Sequence, residues 1–274
     1  MHRKFLLVRQ KGEAFESPIR EEKAVLLENK TAVISGASGP RGLGFATAKM
    51  FAAHGARVAI LDLSEEASQQ AAASLGPRHR GFACDVTRLE DCKRAAEQAI
   101  AAFGTVDILI NNAGITQPLK IMDITPANYE AVLNVNLRGV LFLSQAFIPH
   151  MRQRRSGSIA CTSSVSAQRG GGIFGGPHYS ASKAGVLGLA KNMARELGPD
   201  GIRVNCITPG LIPTDLTGDR LTEQMRAEII KGIPLGRLGA VEDVAGAFLF
   251  LASDLSSYIT GAVIDVNGGL LIHG

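Results

Sequence analysis

The pattern of the chain predicts an α/β fold, a doubly wound parallel sheet of seven strands with helices on both faces. From Thr31 onward, short β-branched and apolar runs alternate with longer helix-prone segments, the order that builds a parallel sheet covered on both sides. The first run opens directly into a glycine-rich turn, Ser35-Gly36-Ala37-Ser38-Gly39-Pro40-Arg41-Gly42-Leu43-Gly44, before the first helical segment. Hydrophobic residues make up 46% and charged residues 20%, enough apolar material to bury both faces of such a sheet.

Strands are expected at residues 31–35, 57–62, 81–84, 106–111, 158–162, 203–207 and 262–266. Helices are expected near 43–54, 65–75, 88–103, 126–152, 179–197, 222–231 and 241–252. Three helices carry start signals: Thr87 ahead of Arg88, Thr125 ahead of Pro126 at a first helical position, and Thr222 ahead of Glu223. Residues 1–28 have mixed charge, a Ser17-Pro18 breaker and little periodicity, and are read as an N-terminal extension. They form either an arm on a neighbouring subunit or an inert tail. Residues 29–274 are read as a single dinucleotide-binding and catalytic domain, a size that α/β folds reach as one unit.

The formal net charge is +4, and seven Lys/Arg against five Asp/Glu in the first thirty residues supply half of that excess. Nucleic acid is therefore not an expected partner. Cys84, Cys92, Cys161 and Cys206 form no CxxC pair and no metal-like spacing with histidine, so reduced, mostly buried thiols and no metal are expected. The N-terminal apolar run stops after four residues at Arg9, too short for a signal peptide. The longest obvious apolar run, residues 244–252, falls far short of the roughly twenty residues that span a bilayer. A cytoplasmic protein without a membrane partner is expected.

Chemistry concentrates at the expected strand ends, where ligands bind in sheets of this class. Glycines in the first turn let backbone approach a pyrophosphate seated on the N–H groups of the following helix. Asp62 closes the second strand, where a carboxylate can accept hydrogen bonds from an adenosine ribose and repel a 2'-phosphate, favouring NAD. Arg41 in the glycine turn can attract that same phosphate, which keeps NADP open, and Asp62 can instead serve as a helix cap ahead of Ser64. Asp85-Val86 follows the third strand and Asn111-Asn112-Ala113-Gly114 the fourth, both facing the presumed cofactor. Tyr179 and Lys183 stand four apart in a helix-prone stretch and so share one face. A nearby cation favours the phenolate, and lowering a tyrosine pKa by roughly three units takes about 4 kcal/mol. A tyrosine so tuned exchanges protons with an alcohol or ketone near neutral pH.

Taken together, these residues resemble the short-chain dehydrogenase/reductase family, and the likeness runs through residues 27–269. It rests on Gly36, Gly42 and Gly44, on Asn111 to Gly114, on Asn136 within Asn134-Val135-Asn136-Leu137, on Ser164, on Tyr179 with Lys183, and on Pro209-Gly210. The ending Asp265-Val266-Asn267-Gly268-Gly269 is also similar. The resemblance implies a Rossmann-like fold, with Tyr179 as acid/base and Lys183 lowering its pKa while holding the nicotinamide ribose. It implies that Ser164 polarises the substrate oxygen and that Asn136 holds a water linking Lys183 to solvent. Gly36, Ser38, Arg41, Gly42, Leu43, Gly44, Asp62, Asp85, Val86, Asn112, Ala113, Gly114, Pro209, Gly210, Ile212 and Thr214 would line the cofactor, Ile212 meeting its carboxamide through the backbone and Thr214 its carboxamide or phosphates. It further implies a homotetramer built through residues 88–152 and 179–197.

Two departures stand out. Five residues separate Gly36 from Gly42 where the family pattern has three, so Gly39-Pro40 reads as an insertion. The stretch from Ser164 to Tyr179 is about two residues longer than usual, carries five glycines, and leaves Ser163 as a rival for the serine role. Phe174 and His178 are possible substrate contacts there, and His178 reads equally as a core or surface histidine. Residues 211–239 match the variable lid, with Thr214, Asp215, Thr217, Asp219 and Arg220 among Leu216, Leu221, Met225 and Ile229.

The expected activity is NAD(H)-dependent interconversion of a secondary alcohol (polyol, sugar or hydroxy acid) and its ketone. One alternative is a 3-oxoacyl-carrier-protein reductase using NADPH, with Arg152, Arg154 and Arg155 as a docking patch for an acidic carrier. Another is a non-catalytic dinucleotide-sensing protein.

Overall fold

A computed structural model describes residues 25–215, 217 and 220–272. Nearly all of the N-terminal extension, and Leu216 and Asp219 of the expected lid, lie outside the described residues. The strands are β1 (Thr31–Ser35), β2 (Arg57–Asp62), β3 (Arg80–Ala83), β4 (Ile108–Asn111), β5 (Gly157–Thr162), β6 (Ile202–Pro209) and β7 (Val263–Val266). They form one sheet in the order β3-β2-β1-β4-β5-β6-β7, and every neighbouring pair is parallel. Chain order reverses between β1 and β4, which places a crevice at their carboxyl ends.

Strand alternation explains why the sheet is buried on both faces. Val33, Leu109, Ile159, Cys161, Val204 and Cys206 enter one apolar cluster with helices α3 (Leu89–Phe103), α5 (Gly139–Arg154) and α7 (Pro177–Leu197). Ala32, Ile34, Ile108, Ile110, Ala160 and Ile207 enter the other, with α1 (Leu43–Ala53), α2 (Glu65–Leu75) and α9 (Val241–Ala252). Each fully buried large aliphatic side chain contributes about 1.5–3 kcal/mol relative to exposure. Leu27, ahead of β1, is wholly buried in the second cluster. All four cysteines are buried and free, as expected.

The helix starts follow local chemistry. Thr125 and Asn128 form a reciprocal capping box on α4 (Pro126–Leu133), and Thr222 accepts from the Met225 N–H at the start of α8 (Glu223–Lys231). Thr87, expected to cap α3, does not. Its N–H and hydroxyl are bound to Asp85 at 2.9 and 2.7 Å, so Arg88 occupies the cap position. The helix expected at 126–152 is three pieces: α4, a π-helical turn over Asn134–Arg138, and α5. This helical run, Pro126–Arg154, is long and apolar enough to cross a membrane. Val140, Leu143, Phe147 and Met151 of α5 instead sit in the sheet's core. A short helix, α6 (Ser166–Arg169), was not expected, and α7 begins two residues early because Pro177 needs no N–H partner at a first helical position.

Candidate active site

The crevice is closed at its floor by hydrogen bonds between the ends of β1 and β4. Asn112 donates through Nδ2 to the carbonyls of Ser35 and Gly36 at 3.0 and 2.9 Å. The Ser35 hydroxyl accepts from the N–H groups of Asn112 and Ala113, both at 3.1 Å. Gly36 has φ +63°, and a Cβ there would lie 2.7 Å from Ala113 Cα, so no other residue fits. Gly44 is as tightly placed, with a hypothetical Cβ 2.5 Å from the Gly36 carbonyl. The inserted residues form a turn closed by the Gly42 N–H on the Gly39 carbonyl at 2.9 Å. At the start of α1 no side chain caps the helix and no acid lies in its first turn. An acid-free, uncapped helix start beside close-packed glycines fits a pyrophosphate.

Asp62 stands at the rim of this loop. One carboxylate oxygen accepts from the Ser38 N–H and hydroxyl at 3.0 and 2.7 Å, and the other accepts from the Leu63 N–H at 2.9 Å. Ser64 caps α2, so the helix-cap reading of Asp62 is replaced by one in which it faces the glycine loop. A carboxylate has about four acceptor positions, and with three taken Asp62 retains capacity for a ribose hydroxyl.

On the other side of the crevice, α7 presents Tyr179 and Lys183. The Ser164 hydroxyl accepts from the Ser166 N–H at 3.1 Å and stands near enough to the Tyr179 phenol to favour its ionised form. Ser163 turns away, donating to the Lys183 carbonyl at 2.8 Å, so the two serines separate cleanly. The Lys183 ammonium is 5.9 Å from the centre of the Tyr179 ring and donates to the Thr162 carbonyl at 2.8 Å. A Cβ on Gly114 would lie 3.3 Å from both Lys183 Nζ and Asn136 Oδ1, so the missing side chain leaves space beside the ammonium. Gly175 does the same under the Tyr179 ring, at 2.6 Å from Cδ1.

Burial governs the protonation of this pair. It pushes the Tyr179 phenol above its usual range, opposed by the Ser164 hydrogen bond, and it draws Lys183 down to about 8. The expectation that Lys183 lowers the Tyr179 pKa is thus corrected for the protein alone. The ammonium is turned to Thr162, and burial dominates the phenol.

Asn136 lies in the π-helical turn, wholly buried. Its amide accepts from the Ile115 N–H at 2.8 Å and donates to the Ile115 carbonyl and the Ser182 hydroxyl, each at 3.0 Å. The side chain is therefore occupied with holding the loop after β4 against α7. π-Turns accompany functional sites often enough to mark this one.

The remaining expected residues fall around the same rim with unequal roles. Asp85 spends one oxygen on Thr87, and Val86 packs on Gly139. The Pro209 carbonyl accepts from the Val165 N–H at 3.0 Å, and the Gly210 N–H donates to Val266 at 2.9 Å, tying the end of β6 to both neighbours. Ile212 is buried against Gly239, and Thr214 closes a small turn with Thr217. His178 is a core histidine, its Nε2 3.2 Å from Gln117 Oε1, with burial lowering its pKa. Phe174 lies in the glycine-rich wall, its carbonyl bound by the Thr116 hydroxyl and its ring 6.0 Å from the Arg220 guanidinium. Sequence reasoning missed Thr162, Ile115 and Ser182. Thr162 closes β5 and could have been found from that position alone, whereas Ile115 acts through its backbone and gives no signal. Among the described residues no cluster is suited to a metal ion.

A family model described as "Enoyl-(Acyl carrier protein) reductase" matches residues 36–271. An uncharacterized short-chain type dehydrogenase/reductase of Sinorhizobium fredii is 64% identical over 253 residues, 91% of this chain and all of that one. A 3-oxoacyl-[acyl-carrier-protein] reductase of Chlamydia trachomatis is 43% identical, over 89% of this chain and 98% of its own. The crystal structure of a 3-ketoacyl-(acyl-carrier-protein) reductase from Brucella melitensis complexed with NADH superposes with a TM-score of 0.83 at 36% identity, covering 90% of this chain and 100% of that one. With this fold and these relatives, the chain belongs to the short-chain dehydrogenase/reductase family of NAD(P)-dependent oxidoreductases acting on CH–OH groups.

Proposed function

We propose that this enzyme interconverts a secondary alcohol (a polyol, sugar or hydroxy acid) and its ketone with NAD(H), using Tyr179 as the acid/base. The observation that carries the reading is the placing of Ser164 near the Tyr179 phenol, beside a buried Lys183 whose ammonium lies 5.9 Å from the Tyr179 ring and donates to the Thr162 carbonyl. NAD, when bound, supplies the carbon that accepts or returns hydride. Ser164 donates to the substrate oxygen and orients it, and Tyr179 exchanges the hydroxyl proton. Lys183 has ammonium hydrogens left beyond the one on Thr162 for a ribose hydroxyl, on the open side of Gly114. Asn136 holds the Ile115 backbone so that this face of the crevice stays fixed. Asp62, three-quarters occupied, favours a free 2'-hydroxyl over a phosphate.

The relatives named as 3-oxoacyl-carrier-protein reductases support a second reading, reduction of a 3-oxoacyl thioester. The arginines first considered for a carrier patch argue the other way. Arg152 pairs with Glu196 and Asp200, Arg154 with Asp107, and Arg155 donates to the Pro199 carbonyl at 2.6 Å. The intact Asn136, Ser164, Tyr179 and Lys183 weigh against a non-catalytic sensor. A homotetramer accords with exposed apolar residues Tyr129 and Leu141 along α4 and α5, and is tested by light scattering on a sizing column.

The deciding experiment follows reduced-nicotinamide absorbance with NAD and NADP across polyols, sugars, hydroxy acids and simple secondary alcohols, with a 3-oxoacyl thioester in reverse. Turnover of a polyol, sugar or hydroxy acid with NAD is the expected result. Activity confined to thioester reduction with NADPH overturns it.

A further inference from the structure

The inserted turn reaches a partner far along the chain. Arg41 Nε donates to Asp215 Oδ1 at 2.6 Å, and its Nη2 contacts the same oxygen. A Cβ on Gly39 would lie 3.6 Å from Asp215 Oδ2, so the carboxylate sits directly over the insertion. Asp215 follows β6, whereas Arg41 follows β1, and β4 and β5 lie between them in the sheet. The pair therefore ties together two loops that leave the sheet three strand spacings, about 14 Å, apart. Two carboxylates border the glycine loop. Asp62, on the β2 side, has its oxygens bound by Ser38 and Leu63, while the Arg41 guanidinium goes to Asp215, on the β6 side.

The direction matters because of what the guanidinium could otherwise do. A 2'-phosphate on the adenosine ribose would sit near Asp62, and a guanidinium beside it would bind the phosphate by charge-assisted, bidentate hydrogen bonds. We propose that Asp215 is a specificity-determining positioning residue: by holding Arg41 toward β6 it withdraws the loop's cation from the 2'-position, so that NAD is preferred through two acids, Asp62 by repulsion and Asp215 by sequestration. This deepens the NAD(H) reading above and rests on it. Both partners are substantially exposed, with side-chain exposures of 74% and 48%, and an ion pair of that kind contributes little to folding.

The test is direct binding of NADH and NADPH, followed by the fluorescence of the reduced nicotinamide, for the unmodified protein, Asp215→Asn, Arg41→Gln and the double variant. Asp215→Asn is expected to tighten NADPH about tenfold while NADH moves less than about twofold. Arg41→Gln alone is expected to leave the ratio of the two affinities where it was, since that cation is already engaged. In the Asp215→Asn background the same replacement should erase the gain, and added salt should erode it. A ratio unmoved by Asp215→Asn, equal weakening of both cofactors, or a gain that survives in the double variant overturns the proposal. Failure of the unmodified protein to bind NADH would overturn the NAD(H) reading and this inference together.

Discussion

The side-chain amide of Asn136 pairs with both backbone groups of Ile115, accepting at 2.8 Å and donating at 3.0 Å, as a strand would. One residue of a π-turn thereby substitutes for a missing sheet neighbour and fixes the loop that carries Gly114. Asn136→Ala removes three hydrogen bonds, each with a net contribution of about 1 kcal/mol. The melting temperature is expected to fall by about 2–4 °C per kcal/mol lost, and turnover by more than tenfold. Melting curves and steady-state rates on one preparation check both, and an unchanged rate in a destabilised variant would reduce Asn136 to a structural role.

Tyr179→Phe keeps the ring against Gly175 and removes only the phenolic hydroxyl. Turnover should drop by about 10²–10⁴, with NADH affinity within about twofold by fluorescence titration. Undiminished turnover would remove Tyr179 from the chemistry.

Because burial raises the phenol's pKa, Tyr179 is protonated at neutral pH and poised to donate. Alcohol oxidation needs the phenolate, so its rate should climb steadily as pH rises from neutrality past 10, while ketone reduction, which needs the phenol, should hold level until pH passes that value. Initial rates in both directions across pH establish this. Parallel profiles would show that some other group sets the dependence.

Lys183 titrates at about 8 in the folded protein and near 10.5 when exposed. The unfolded chain therefore binds more protons between those values, and stability rises with pH across that window. Below it, burying the ammonium carries a penalty of about 3 kcal/mol at most. Lys183→Met is expected to abolish turnover while matching or exceeding the parent's melting temperature at neutral pH. A variant markedly less stable than its parent would contradict the desolvation argument.

Asp62→Ala takes the acceptor from Ser38 and the repulsion from the 2'-position. NADP should then be used within about tenfold of NAD, since a charge-assisted contact is worth roughly 1.5–3 kcal/mol. A strict NADPH preference in the unmodified enzyme would sink the ribose argument.

Much of this was legible in the sequence because strand cores and glycine turns are local. β1 and β2 lie at the residues expected, and the site residues at the ends of β1, β2, β4 and β5 meet at one crevice. What escaped is set by distance in the chain. Ser163 and Ser164 are adjacent and chemically alike, and only the position of α7 decides which faces Tyr179. The π-turn reads as ordinary helix, since Asn-Val-Asn-Leu-Arg has no breaker in it. The balance at Tyr179 was misjudged because spacing reports the presence of a cation, not how much water both groups lose.

The strand order also bears on how the chain is made. Once residues through Ala83 have left the ribosome, β1, β2 and β3 can pair, but the far edge of β1 stays open until Ile108–Asn111 follow. An open edge templates mispairing, and multi-strand parallel sheets close slowly. The future cofactor crevice is therefore also the nascent chain's exposed seam, and refolding yield should fall steeply as protein concentration is raised.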